Sequence, residues 1–139
     1  MGLFFQSERF ARINGRIVGL LLVSDSALSL DTLASRLGVS KASISTGARF
    51  LERRGLVERV SRPGDRRDYY QIVADLPEQT TQLRLERMRR FLALIAEARE
   101  TFPQKPAGVR NRLAKIEAAY EFLLEEFSSA LTEWRKREA

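Results

Sequence analysis

The residues best placed to do chemistry in this chain are arginines. Between Arg36 and Arg67 stand nine basic side chains: Arg36, Lys41, Arg49, Arg53, Arg54, Arg59, Arg62, Arg66 and Arg67. Only Glu52, Glu58 and Asp65 oppose them. The whole chain of 139 residues carries 24 Lys and Arg against 18 Asp and Glu, a net charge of +6. This one stretch therefore holds the entire excess, and the remainder balances. A guanidinium keeps its charge at any ordinary pH, and its forked N–H donors match phosphate oxygens. The chemistry on offer is thus the gripping of a polyanion. A solvated helix face is the plainer reading of clustered Arg, and the surrounding sequence decides between the two.

Other chemistries are closed off. With no Cys and no His, the chain cannot form disulfides, a thiol switch, a Cys/His zinc site or His-based acid/base machinery. Carboxylate-only metal or glycosidase chemistry stays open in principle, but the acidic residues are scattered among helices rather than gathered near turns or strand ends. We expect no catalytic residue, no metal site and no cofactor. The longest apolar stretch, Ile17 to Val23, is interrupted by Gly19 and falls far short of the about 20 residues that span a bilayer. Met1-Gly2-Leu3-Phe4-Phe5 lacks the basic start and small-residue cleavage site of a secretory leader. A cytoplasmic protein with no membrane partner is expected.

The elements that must position the arginines follow from periodicity and punctuation. Phe10, Ile13, Ile17, Leu20 and Leu21 recur at helical spacing, so a first helix should end near Ser24-Asp25-Ser26. Ser29 or Asp31 can cap a second helix carrying Leu33, Ala34 and Leu37, which stops at Gly38. Ser40 caps a third helix that runs to about Arg54, before Gly55. Ile44, Ala48 and Leu51 share its inner face, while Lys41, Ser45, Thr46, Arg49 and Arg53 fall largely outside it. Two helices joined by so short a turn form a helix-turn-helix, and the outer face of the second suits a major groove. Gly47, unfavourable inside a helix, marks either close packing or close approach to DNA, two readings the sequence leaves open.

Leu56 to Val60 and Tyr69 to Val73 read as strands around Arg62-Pro63-Gly64-Asp65. Pro63 presets the first central position of a type II turn, and Gly64 supplies the positive φ required at the second. The loop projects Asp65, Arg66, Arg67 and Asp68 from its tip. The expected fold is therefore mainly α: a winged helix-turn-helix with a two-stranded β-wing, followed by a C-terminal helical arm. An Arg on the wing gains from the negative potential of a narrow minor groove, and Arg67 or Arg66 is the candidate. Asp65, two residues from Arg67, would orient the guanidinium rather than touch DNA; a surface ion pair of little worth is the plainer alternative.

These residues resemble the MarR superfamily of winged-helix regulators, in particular its GbsR-like branch. The likeness rests on Gly15-Arg16-Ile17-Val18-Gly19-Leu20-Leu21-Leu22, on Leu37-Gly38-Val39-Ser40-Lys41-Ala42-Ser43-Ile44-Ser45, and on Gly55-Leu56-Val57-Glu58-Arg59 with Pro63-Gly64-Asp65-Arg66-Arg67-Asp68-Tyr69-Tyr70. It implies a homodimeric, sequence-specific regulator of transcription, often a repressor, whose affinity for double-stranded DNA a small-molecule effector changes. It further implies that Lys41, Ala42, Ser43, Ser45, Thr46 and Arg49 lie at recognition-helix positions, and that Asp65 and Arg67 are the paired acid and minor-groove Arg of the wing. The DNA-binding set we expect is Ser40, Lys41, Ala42, Ser43, Ser45, Thr46, Arg49, Arg62, Asp65, Arg66 and Arg67. Sensing through Cys or His, known among relatives, does not carry over to a chain with neither.

We expect residues 1–76 to form the DNA-binding domain and 77–139 the dimerisation arm. Pro77 opens a helix with Asp75 as cap and Glu78 in a capping-box position. Met88, Phe91, Leu92, Ile95 and Phe102 form its stripe, and Thr101 to Gly108, with Pro103 and Pro106, interrupts it. A last helix lines up Val109, Leu113, Ile116, Tyr120, Leu123, Phe127, Leu131 and Trp134 near a coiled-coil repeat. That seam packs either within the chain or across a two-fold axis, and we favour the two-fold, as the resemblance also implies, with the first helix and the arm sharing the interface and Leu113 through Trp134 as dimer residues. Two reading helices about 34 Å apart would then meet a pseudo-palindromic operator. Phe91, Tyr120 and the Pro103 to Gly108 break are candidates for a ligand-sensitive junction, although aromatic stripes more often serve as core. The competing function is a winged helix whose basic face docks an acidic protein partner, since fold alone does not fix function.

Overall fold

The computed structural model describes residues 2–102 and 104–139, with side chains from residue 8 onward. Met1 and Pro103, and the side chains of the Met1 to Phe5 stretch read above, lie outside the described residues. The elements run α1 (Gly2–Leu22), β1 (Leu28–Ser29), α2 (Leu30–Leu37), α3 (Lys41–Arg53), β2 (Val57–Val60), β3 (Tyr69–Ile72), α4 (Leu76–Thr101) and α5 (Ala107–Glu138). They divide into two compact units, residues 1–76 and 77–139. Among the described residues no helix is long and apolar enough to cross a membrane.

The first unit is a winged helix, and its boundaries are set by local chemistry. The Ser29 hydroxyl accepts from the Thr32 amide at 3.2 Å, and the Ser40 hydroxyl from the Ser43 amide at 3.2 Å. Each satisfies a helix N–H that would otherwise lack a partner. Both helices end alike: Gly38 and Gly55 have φ of 63° and 70°. Val39 N–H reaches Ala34 O, and Leu56 N–H reaches Leu51 O, the six-to-one bonds of a Schellman ending. The Arg16 guanidinium adds a 2.7 Å bond to Leu37 O, fastening α1 to the last turn of α2.

The core joins Ile13, Ile17 and Leu21 of α1 to Leu33 of α2, Ile44, Ala48 and Leu51 of α3, and Val57 and Tyr70 of the sheet. Ile17, Leu33 and Ile44 are fully buried, each contributing about 1.5–3 kcal/mol from removal of its side chain from water. Gly47 is resolved by this packing. A Cβ there would lie 2.5 Å from Asn14 Oδ1 and 2.9 Å from Ile17 Cδ1, so the glycine lets α1 and α3 cross closely.

The expected two-stranded wing is present as β2 and β3, and a further strand joins its sheet. The sheet thus has three antiparallel strands in the order β1-β3-β2. Leu28 and Ser29 pair with Tyr70 and Tyr69; two residues are too few to show a period, and their strand character depends on partners far along the chain. The wing turn has the expected form: Asp65 N–H bonds Arg62 O at 3.1 Å, and Gly64 has φ 75°.

The second unit is an antiparallel helix pair. Glu78 near the start of α4 bonds Arg135 near the end of α5 at 2.7 Å, and Arg99 near the end of α4 bonds Glu117 at 2.6 Å. Between them, Arg84 lies over the Phe127 ring and Phe91 meets Tyr120 with ring centroids 4.6 Å apart. Glu78, placed in a capping box by the sequence, takes hydrogen bonds from Arg135 and Gln82. The break is shorter than expected, since α5 already starts at Ala107 and includes Gly108. Part of the α5 seam, Tyr120, Phe127 and Leu131, thus faces α4 of the same chain or is buried within the pair.

Candidate nucleic-acid interface

The first unit turns the cationic stretch outward. On α3, Ile44, Gly47, Ala48 and Leu51 are buried, whereas Lys41, Ala42, Thr46, Arg49 and Arg53 are exposed and Ser43 and Ser45 half-buried. The apolar face anchors the helix, and the opposite face is left short, polar and basic. Small side chains there permit close approach to a groove floor, while the longer ones reach bases and phosphates.

Several of these groups are already engaged. Thr46 Oγ1 donates to Ala42 O at 3.0 Å, Arg49 Nε donates to Ser45 O at 3.3 Å, and Ser40 Oγ donates to Ser43 Oγ at 2.9 Å. Lys41 pairs with Asp31 at 3.0 Å, and Arg59 lies between Glu52 and Asp68. Ion pairs this exposed are worth little and exchange readily for phosphate. Arg36, Arg49, Arg53 and Arg66 have no acidic partner among the described residues.

At the wing, Asp65 and Arg67 form a closed pair. Arg67 N–H and Nε donate to Asp65 Oδ1 at 2.9 and 3.1 Å, and Nη2 donates to Oδ2 at 2.8 Å. Tyr69 donates its hydroxyl proton to the same Oδ2 at 2.6 Å. The Arg67 guanidinium, then the Tyr69 hydroxyl and the Arg67 amide, hold the Asp65 carboxyl far below its ordinary range. The bond to Asp65 in turn raises both Arg67 and Tyr69, so each keeps its proton. The carboxylate is thereby turned toward its own wing, and the guanidinium remains exposed.

The expected site residues do not all share one situation. Lys41, Ala42, Thr46 and Arg49 of α3 and Arg66 are exposed, Ser43 and Ser45 are half-buried, Arg67 is exposed but oriented, and Arg62 is tied down. Arg62 Nη2 donates to Ala27 O at 2.8 Å, and its guanidinium carbon lies 3.9 Å from the Tyr69 ring centroid. Tyr69 escaped the sequence reading as anything but a strand residue. Its link to Asp65 depends on where β3 begins, and its link to Arg62 on the β1–β3 pairing. Among the described residues no cluster of acidic side chains could hold a metal ion.

Three comparisons place the molecule among known proteins. A model of the MarR family matches residues 12–68. The chain is 30% identical over 138 residues to the HTH-type transcriptional regulator MmpR5 of Mycobacterium tuberculosis, covering 99% of this chain and 84% of that one. A solved crystal structure of a transcriptional regulator superposes with a TM-score of 0.81 at 29% identity, over 98% of this chain and 93% of the other.

Proposed function

Since this chain belongs to the MarR family of DNA-binding transcriptional regulators, we propose that it acts as a homodimeric repressor of the GbsR-like branch, reading a pseudo-palindromic operator. In this reading α3 enters the major groove, where Lys41, Ala42, Ser43, Ser45, Thr46 and Arg49 meet base edges and phosphates. Arg67 enters the neighbouring minor groove and Arg66 meets phosphate. Residues 77–139 join two copies and set the spacing of the two reading helices. The observation that carries the reading is that the stretch Arg36 to Arg67, which holds the whole net charge, runs from the end of α2 through α3 into the wing. An acidic protein partner would not require Ser45 and Thr46 at the positions that face bases.

The reading extends to a small-molecule effector. A groove of about 430 Å³ runs between α4 and α5, floored by Met88, Phe91, Tyr120 and Phe127 with Arg84 and Arg87 beside it. A ligand there would reshape the arm and thereby the separation of the reading helices. Selection of bound duplexes from a random pool tests the whole scheme. Recovery of two inverted half-sites with centres about one helical turn apart is expected; a pool without enrichment would overturn it. Affinity should fall steeply with salt, since several phosphates lose their counterions on binding.

A further inference from the structure

We propose that Tyr69 is the positioning residue of the wing: its hydroxyl fixes the Asp65 carboxylate, which presents Arg67 to the duplex, and Arg62 locks the Tyr69 ring in place. The inference deepens the function proposed above and rests on it. An exposed Asp and Arg two residues apart on a turn would ordinarily be a loose pair. Here the carboxylate has a third donor from a rigid source.

Tyr69 is 5% exposed and sits in the central strand, paired with Ser29 on one side and Val60 on the other. Its hydroxyl therefore moves only with the sheet. At 2.6 Å, its bond to Asp65 Oδ2 is a short, charge-assisted one. Oδ2 is also the oxygen that receives Arg67 Nη2, so the phenol and the guanidinium are tied through a single atom. Arg62 completes the set from the other side of the turn. It covers the Tyr69 ring and bonds Ala27 O, just before β1. Both ends of the turn are thereby fastened to the sheet.

Two consequences follow. Arg67 is ordered before DNA arrives, which lowers the entropy lost on binding by an amount that corresponds to about threefold to tenfold in affinity. Arg62, also expected from sequence to contact DNA, has its guanidinium tied to the wing itself before any duplex is met.

The test is a double-mutant cycle on a selected operator duplex at fixed salt, comparing the wild type, Tyr69→Phe, Arg67→Ala and the double variant. Tyr69→Phe keeps the ring, the strand and the contact with Arg62, and removes only the hydroxyl. It should weaken binding about threefold to tenfold, and Arg67→Ala about tenfold to a hundredfold. The double variant should bind no more weakly than Arg67→Ala alone. The Arg67 Nε–H resonance in the free protein should be sharp in the wild type and broadened in Tyr69→Phe, with the melting temperature unchanged. Asp65→Asn should weaken binding in the same way, giving a second route if Tyr69→Phe folds poorly. If Arg67→Ala binds like the wild type, the minor-groove role itself is wrong. If Arg67→Ala is weak but Tyr69→Phe is unaffected, or if the two losses add in the double variant, the positioning role is wrong.

Discussion

Residues 1–76 and 77–139 use their apolar side chains in opposite ways. Among the described residues, the first unit buries Ile13, Ile17, Leu21, Ala27, Leu28, Leu33, Ile44, Ala48, Leu51, Val57, Tyr69 and Tyr70, whereas the second buries only Leu85, Ile95 and Leu131. Most of the large exposed hydrophobics lie in the second unit: Phe91, Leu94, Phe102, Phe122, Leu123 and Trp134, against Leu22 and Val23 just at the end of α1 in the first. A winged helix closes its own core because three helices and a sheet surround one interior. Two long helices alone have no interior, and each must leave one flank in water. The difference teaches that the first unit closes a core of its own, while the second leaves an apolar flank that the proposed homodimer would cover. Two copies of the arm would supply the missing flank.

The sharpest way to break this contrast is to delete equal amounts of side chain from each unit. Ile44→Ala removes a fully buried side chain from the centre of the first core, and a loss of about 2–5 kcal/mol is expected in denaturant unfolding. Leu94→Ala, at a residue 59% exposed in the single chain, should leave the unfolding of the first unit unchanged. Equal losses in the two variants would mean that the units do not differ as described. Glycine substitutions sharpen the same point within the first unit. Gly47→Ala pushes a methyl group onto Asn14 and Ile17, both buried. Overpacking of about 1–3 kcal/mol outweighs a helical gain of about 1 kcal/mol, so net destabilisation is expected. Gly19→Ala, with nothing within 4 Å, should instead stabilise by about 1 kcal/mol. Thermal unfolding of the two variants side by side decides the signs.

The arm calls for a different measurement, because its stability should depend on concentration. If two copies cover Phe122, Leu123 and Trp134, each tenfold dilution should cost the dimer about 1.4 kcal/mol. Phe122→Ser with Leu123→Ser should yield a monomer in sedimentation equilibrium that retains the folded first unit. An unchanged dimer would assign the two-fold contact to another face.

How much of this was legible in the sequence depends on how far apart the interacting groups lie. Ser29, Gly38, Ser40, Gly55 and Pro63-Gly64 act on backbone within a few residues of themselves, so helix ends and the wing turn could be read directly. The Asp65–Arg67 pairing was legible for the same reason. The strand at Leu28–Ser29 was hidden because its partners are Tyr69 and Tyr70. The bond from Arg62 to Ala27 O was hidden because the two residues lie 35 apart in the chain. Gly47 stayed ambiguous until Asn14 and Ile17 were brought against it. The seam of α5 showed that large residues must pack, but periodicity does not say on whose helix. The intrachain share, through Tyr120 and Phe127, emerges only when α4 is laid alongside.

The smallest expected effect is electrostatic, and it separates the units by pH. Glu78 in the arm is lowered from its ordinary 4.5, chiefly by the Arg135 guanidinium, and Asp65 in the wing is lowered much further from its ordinary 3.8. A carboxylate depressed in the folded state lends stability above its ordinary value and loses it as the pH falls through the folded value. From pH 8 to pH 5 neither contribution should change. Below about 4.5 the Glu78–Arg135 contact should weaken first, while Asp65 holds the wing at still lower pH. Trp134, the single tryptophan and the neighbour of Arg135, reports on the arm alone. Its fluorescence should move as the pH falls below 4.5 in the wild type, more weakly in Arg135→Ala, and while the Arg67 resonance is still in place. If the wing signal moved before Trp134, the order of the two carboxylates would be reversed, and the wing clasp would be the looser of the two contacts. Both pairs are exposed, so 0.5 M salt should reduce the Trp134 shift.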